Sequence, residues 1–348
     1  MRDAYLKCMR LRVLLLAALS CGPRSTDGAP PPPNPPPVGH PPPYLGQNIV
    51  SIVAWPIQGM ALDDTTLYYM AAGTLRAIPK NGGLWRTLAS GESPTSTLAV
   101  SSGFVWWMTS SDIRRIATTG GAVEIVRSGV TARPPLFAVV GATGFYVDAS
   151  TDRLMDTSGA VIADADGAPW GLASFTGRLY LACPTSIRTM LPDGSDVLPS
   201  IYSPPPPRRV HHHFAVTTLG PVFVDEDKVI PYGTTGGRQI IVTGETSVPM
   251  PNPVHELVAA GSVVYVLGGR PPPPKPTCNW FTDSNCPLLG NLDFAVHTVV
   301  VRVDLANAPY TVLTDAPFEL QGLATDSTHV YFGRAANLLS DAEIDRIP

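Results

Sequence analysis

The chain has 348 residues, with 24 Lys and Arg against 28 Asp and Glu, a net charge of −4 and 44% hydrophobic residues. Charged residues make up 15%, the composition of a globular protein rather than a disordered tail. No basic stripe accompanies that balance, which excludes the phosphate-neutralising surface that nucleic-acid binding demands.

Residues 1–20 read as a targeting segment, in which Lys7, Arg10 and Arg12 precede an apolar run from Val13 to Leu19. That run is far shorter than the roughly 20 residues that span a bilayer, and it has the length of a signal-peptide core. Met9-Arg10-Leu11-Arg12 offers a second compact basic start. The run ends in Ala18-Leu19-Ser20-Cys21, which resembles the bacterial lipobox. The resemblance implies cleavage before Cys21 and a lipid on its thiol; an ordinary secretory signal with an incidental Cys is the alternative. Loss of residues 1–20 removes four basic residues and one acidic, leaving a net charge of about −7.

Residues 21–45 read as a linker, with Pro30 to Pro33, Pro35 to Pro37 and Pro41 to Pro43 and few apolar side chains. Such a tract forms no core and runs as polyproline II at about 3.1 Å per residue, a tether on the order of 60–70 Å. The folded body is expected over 46–348. Its cysteines agree with an oxidising compartment. Cys278 and Cys286 lie close together in a polar, Pro-rich insertion and favour a local disulfide over zinc, since no CxxC spacing or nearby His accompanies them. Cys183 lies in an apolar strand and reads as a buried free thiol.

A repeat organises the body. An apolar-aromatic-bulky core recurs around Tyr68, Trp106, Tyr146, Tyr180, Phe223, Tyr265 and Tyr331, at spacings of 38, 40, 34, 43, 42 and 66 residues. The last gap holds the insertion, at about 268–291. A four-stranded propeller blade takes about 40–45 residues, so the spacing predicts seven blades. Each copy has one internal order. A short apolar strand such as Met60-Ala61-Leu62, Leu98-Ala99-Val100, Gly171-Leu172-Ala173, Phe214-Ala215-Val216 or Gly322-Leu323-Ala324 precedes the aromatic strand. A third strand then runs into a Gly turn at Asn81-Gly82-Gly83, Thr119-Gly120-Gly121, Ser158-Gly159, Asp193-Gly194 or Thr235-Gly236-Gly237, expected to be a two-residue hairpin. Thr87-Leu88-Ala89 and Ile240-Ile241-Val242 are candidate fourth strands.

Helical periodicity is nearly absent, so the fold class is all-β, a seven-bladed β-propeller of four-stranded blades. The last copy reaches a third strand at Glu343 to Pro348, which matches Thr74 to Pro79 in the first. Its fourth strand is available at about 48–55, Asn48 to Trp55, and that pairing would close the ring and remove an exposed edge. Ser340-Asp341-Ala342-Glu343 has the form of a helix capping box, which predicts a short helical turn ahead of the last strand. The pattern resembles bacterial extracytoplasmic propellers with NHL-like, YVTN-like and streptogramin-lyase-like repeats. The Gly-His and Trp-Asp signatures of WD40 repeats are missing. The resemblance is carried by generic apolar and turn residues and implies a fold more than a function.

The strand order places the fourth-to-first connections and the second-to-third loops on one rim, called here the top, and residue 46 on the bottom. Candidate binding residues on the top are Arg208, His211, His213, Asp225, Asp227, Trp170 and His255, with Trp280 and Phe281 between the two cysteines of the insertion. Three adjacent His beside an acidic loop offer imidazole and carboxylate metal ligands, yet alternate residues of a strand face opposite ways, so at most two converge. The plainer alternative is a solvated polar loop. Asp164-Ala165-Asp166-Gly167 resembles the start of a calcium loop without its terminal Glu, and hairpin chemistry explains it better. Trp280 and Phe281 are the expected recognition residues. No GxSxG, HExxH, phosphate loop or paired CxxC is present. The leading expectation is a non-enzymatic binding or scaffold module at the bacterial cell envelope, tethered to the membrane by its lipid alone, with its top pointing away from the membrane. Its partner would be an envelope protein or a carbohydrate, with no cofactor and no nucleic acid. The alternative is a metal-assisted lyase or hydrolase resembling streptogramin lyases, with a top-face His as general base and a divalent metal.

Overall fold

A computed structural model describes residues 47–52, 56–165, 167–184, 186–198, 214–225, 228–231, 254–269, 298–305, 310–316, 320–335 and 342–348. Every regular element among them is a β-strand. The first strand, β1 (Gln47–Ile52), comes ahead of sheet one, formed by β2 (Ile57–Leu62), β3 (Thr66–Ala71), β4 (Thr74–Pro79) and β5 (Arg86–Ser90). Sheet two holds β6 (Ala99–Ser101), β7 (Phe104–Met108), β8 (Asp112–Ala117) and β9 (Glu124–Ser128). Sheet three holds β10 (Ala132–Val140), β11 (Thr143–Asp148), β12 (Arg153–Asp156) and β13 (Val161–Asp164). Sheet four is β14 (Gly171–Phe175), β15 (Arg178–Ala182) and β16 (Ile187–Met190). Sheet five is β17 (Phe214–Thr217), β18 (Gly220–Asp225) and β19 (Lys228–Pro231). Sheet six comprises β20 (Val254–Ala260), β21 (Val263–Gly269), β22 (Thr298–Asp304) and β23 (Tyr310–Ala316). Sheet seven comprises β24 (Leu320–Thr325), β25 (Val330–Ala335), β26 (Ala342–Ile347) and, beside β26, β1.

Among the described residues every strand pairing is antiparallel, and each joins chain neighbours except that of β1 with β26, which runs from Gln47↔Arg346 to Ile52↔Ala342. The first strand of each sheet lies against the first strand of the next, and β24 lies against β2. Successive antiparallel meanders packed by their innermost strands make the architecture a β-propeller.

The burial gradient explains why the repeat is visible in the sequence. The repeated aromatics all fall on the second strand of a sheet. In β3 and β7 nearly every position is buried, on both faces, because each sheet is sandwiched between its neighbours. Tyr69 packs with Tyr331 and Ile344 of sheet seven, while Tyr68 packs with Val105 and Trp107 of sheet two. The same layering joins sheets two and three through Trp106 and Tyr146, three and four through Phe145 and Leu179, five and six through Val222 and Val264, and six and seven through Tyr265 and Phe332. The core is therefore a series of inter-sheet layers, each large side chain worth about 1.5–3 kcal/mol of transfer from water. Outer strands such as β9 are mostly exposed.

Several local expectations are corrected. Two-residue turns at Ala72-Gly73, Ser102-Gly103 and Thr176-Gly177 have both φ values positive, as a primed hairpin turn needs. The third-to-fourth connections are longer, as in Lys80 to Trp85 between Pro79 and Arg86. Asp164 ends β13 and opens the crossover to sheet four, where no hairpin forms. Ala342 and Glu343 belong to β26, and the Glu343 carboxylate accepts from the Arg334 guanidinium instead of capping a helix. Residues 53–55, 235–242 and 336–341 of the expected strands, turns and capping box lie outside the described residues.

Candidate functional site

Of the residues singled out by sequence, Cys21, Arg208, His211, His213, Asp227, Cys278, Trp280, Phe281 and Cys286 lie outside the described residues. Asp225 ends β18, its backbone paired with that of Lys228. Trp170 is 6% exposed and faces inward. Its indole Nε1 donates to the Cys183 carbonyl at 3.0 Å, and its ring meets Phe214 of sheet five edge-on, centroids 5.7 Å apart. Trp170 thus joins sheet four to sheet five rather than offering a ring to a ligand. Cys183 is a buried free thiol just past β15, and burial, with Asp152 second, pushes it up to about 12.

His255 is exposed, at a bulge where the register of β20 on β21 slips between Val254 and Glu256. The next residue is the one that sequence reading passed over. One position recurs in six of the sheets among the described residues, two before the inner-strand partner of the central aromatic. Gly59, Gly171 and Gly322 hold this place in sheets one, four and seven, since Ala61, Ala173 and Ala324 face Tyr68, Tyr180 and Tyr331. Thr97 and Pro135 hold it in sheets two and three. In sheet six it is Glu256, because Val258 faces Tyr265.

The position is cramped because the next inner strand passes close by. A Cβ on Gly59 would lie 3.2 Å from the Leu98 nitrogen, and on Gly171 it would lie 2.7 Å from the Phe214 ring. On Gly322 it would lie 2.9 Å from Ile57 and Met60. Glu256 puts a carboxyl into this seam, where it accepts from the Leu323 backbone N–H of β24. Burial pushes its pKa up to about 8, against the lowering effect of that one N–H. The residue as a whole keeps partial exposure, although its carboxyl is enclosed. The insertion is rooted beside it: Gly268 faces Val254, and Gly269 faces Thr298, where the chain returns.

The bottom rim is built from aspartate turns that the sequence reading also missed. Asp63 accepts from the Thr65 and Thr66 N–H groups and, at 2.6 Å, from the Tyr68 hydroxyl. Asp326 repeats the turn with Thr328 and His329, and its other oxygen meets the Lys80 ammonium at 2.8 Å. Burial would raise the Asp326 pKa, but Lys80 and the turn donors outweigh it and hold the carboxyl well below its usual range. The shared Asp-x-Thr-x-apolar-Tyr spelling in the two copies was the available signal. Among the described residues, no group of three or more His, Cys, Asp or Glu is placed to hold a metal ion. No helix among them is long and apolar enough to cross a membrane.

The fold defines a β-propeller. No family model and no curated protein matches the sequence. Among solved structures, a chain of the mitotic checkpoint complex superposes with a TM-score of 0.56 at 10% identity, over 86% of this chain and 95% of that one. An oligogalacturonate lyase in complex with manganese matches with a TM-score of 0.51 at 10% identity, over 82% and 86%. PorZ of Porphyromonas gingivalis, a bacterial surface component of the type-IX secretion system, gives 0.51 at 11% identity. This chain is covered there over 82% and spans 36% of the PorZ chain. At these identities the likeness is one of fold.

Proposed function

We propose that the chain is a non-enzymatic binding scaffold of the bacterial cell envelope. It is held to the membrane by a lipid on Cys21 and the 22–45 tether, and it takes an envelope protein or a glycan on its top rim. The body is a seven-bladed ring closed by its N-terminal strand. Seven sheets among the described residues, the seat of β24 against β2 and the pairing of β1 with β26 support that count and closure.

One observation carries the binding reading: the head of sheet six. There the connection 270–297 leaves and returns beside the bulge at His255 and the enclosed carboxyl of Glu256. A carboxyl held in an inter-sheet seam on one backbone hydrogen bond costs stability, and a long connection on a rigid scaffold is where recognition concentrates. Trp280 and Phe281 sit in that connection. PorZ supplies an instance of a related fold at a bacterial surface.

The test is expression of the full chain in a bacterial host fed labelled palmitate, with photo-crosslinkers placed at position 281 and, as a control, at position 125 of an outer strand. Label lost in Cys21→Ser, together with one envelope adduct specific to position 281, is the expected result. Stoichiometric divalent metal in the purified chain, lost when His211 and His213 become Ala, would replace the scaffold with the lyase reading.

A further inference from the structure

We infer that the bottom rim beside β1 is a contact for an anionic phospholipid surface, made by Leu84 and Trp85 with Arg76, Arg86 and Arg346 around them. The choice of lipid rests on the envelope reading above and not on acylation of Cys21.

Leu84 is 94% exposed and Trp85 44%, adjacent at the tip of the connection between β4 and β5. The tip is presented by Gly82 and Gly83, both in the positive-φ region that favours glycine. Gly82 is seated against β1, where a Cβ would lie 3.1 Å from the Ile49 carbonyl oxygen. A Cβ on Gly83 would meet nothing. The tip is therefore fixed at its base and bare outward. Another exposed pair, Val197 and Leu198, adjoins the Arg178–Asp196 ion pair and is charge-neutral.

The charge around Leu84 and Trp85 differs. The Arg76 guanidinium lies 4.8 Å from the Trp85 ring centroid. Arg86 donates to the carbonyls of Thr118 and Thr119, bridging to sheet two. Arg346 donates to the Lys80 carbonyl at 2.9 Å, to the Asn81 amide oxygen at 3.0 Å and to the Gln47 amide oxygen. Among the described residues none of these guanidinium groups meets a carboxylate, whereas Lys80 is neutralised by Asp326. In a chain that is acidic overall, Arg76 thus lies on the exposed indole, Arg346 holds the start of the same connection at Lys80 and Asn81, and Arg86 follows Trp85 in sequence. Indole rings settle at the headgroup boundary, and guanidinium groups bind lipid phosphate oxygens. Gln47, the first residue of β1, is held by the same Arg346, so the chain enters the body at this rim.

The test uses the full chain carrying Cys21→Ser, so that no acyl anchor contributes, mixed with vesicles of phosphatidylethanolamine and phosphatidylglycerol. The expected result is co-sedimentation that weakens with added salt, and quenching of tryptophan fluorescence by brominated lipid. Partitioning should fall at least about tenfold in Leu84→Ser with Trp85→Ser, as removal of large apolar groups from a buried contact predicts. The thermal melt should be unchanged, since both side chains are exposed. Equal binding of parent and variant, equal binding to phosphatidylcholine vesicles, or saturation by inorganic phosphate without vesicle binding overturns the inference. So does a self-associated species abolished by the same variant, which would assign the tip to a second copy of the chain. Failure of palmitate labelling with vesicle binding intact would remove the anchor alone.

Discussion

Glu256 couples protonation to folding. Its folded pKa near 8 lies above the ordinary 4.5, so between those values the folded chain holds a proton that the unfolded chain has released. The stability it contributes is full below about pH 4.5 and is lost as pH rises through 8. Glu256→Gln keeps an acceptor for the Leu323 N–H without a charge to bury. The variant is expected to flatten the pH profile of the melting temperature and to exceed the parent above pH 8. The parent's stability should fall across that window by at most about 1.4 kcal/mol for each step of one in pH. Thermal melts from pH 5 to 9 decide it; a variant profile superimposed on the parent's would acquit Glu256. This residue was illegible in the sequence for a definite reason. A single Glu between His255 and Leu257 reads as a solvent-facing strand position, and only its register against Gly59, Gly171 and Gly322 exposes it as the odd member of a cramped set. Trp170 shows a different limit: a Trp in a connecting loop reads as an offered ring, and nothing in the sequence signals that its indole N–H donates to the Cys183 carbonyl just past β15.

The second strands were the most legible elements, because burial on both faces forces an unbroken apolar run around each aromatic. The outer strands were the least, since β9 and β13 have few buried positions to impose a pattern. Turns fell between. Glycine at 82–83, 120–121, 159 and 194 marked turns with positive φ, but loop length is set by how strand ends are capped, and the Asp63 and Asp326 turns satisfy backbone N–H groups with carboxylates instead. The Asp326 turn also joins elements, since Lys80 leaves the end of β4 to reach it. Side-chain exposures of 14% and 22% put the pair beyond simple surface screening. A double-mutant cycle with Lys80→Ala and Asp326→Ala is expected to give a coupling of about 1 kcal/mol by denaturant melts. Because the Asp326 pKa is held low, that contribution is full above the usual carboxylate range and is lost as pH falls below that range toward the lowered folded value. Zero coupling would reduce the contact to a coincidence of two surface groups.

For the molecule as a whole, the pairing of β1 with β26 joins segments from opposite ends of the sequence. Ile49 is 7% exposed and packs with Ile57, Tyr331 and Ile344, so β1 contributes core as well as hydrogen bonds. A chain beginning at residue 56 should expose the edge of β26 and melt lower, with a tendency to associate. Addition of a peptide spanning residues 47–52 should recover part of the loss, and an unchanged melt would deny β1 any role in stability. The same geometry has a mechanical side. Any pull on the N-terminal arm arrives first at Gln47, the outermost rung of the β1 ladder. That residue is also gripped through its side chain by Arg346, whose guanidinium reaches on to the Lys80 carbonyl and the Asn81 amide. Force entering there is split between sheet seven and sheet one before the first backbone rung is strained, much as a hawser is made fast to two bollards.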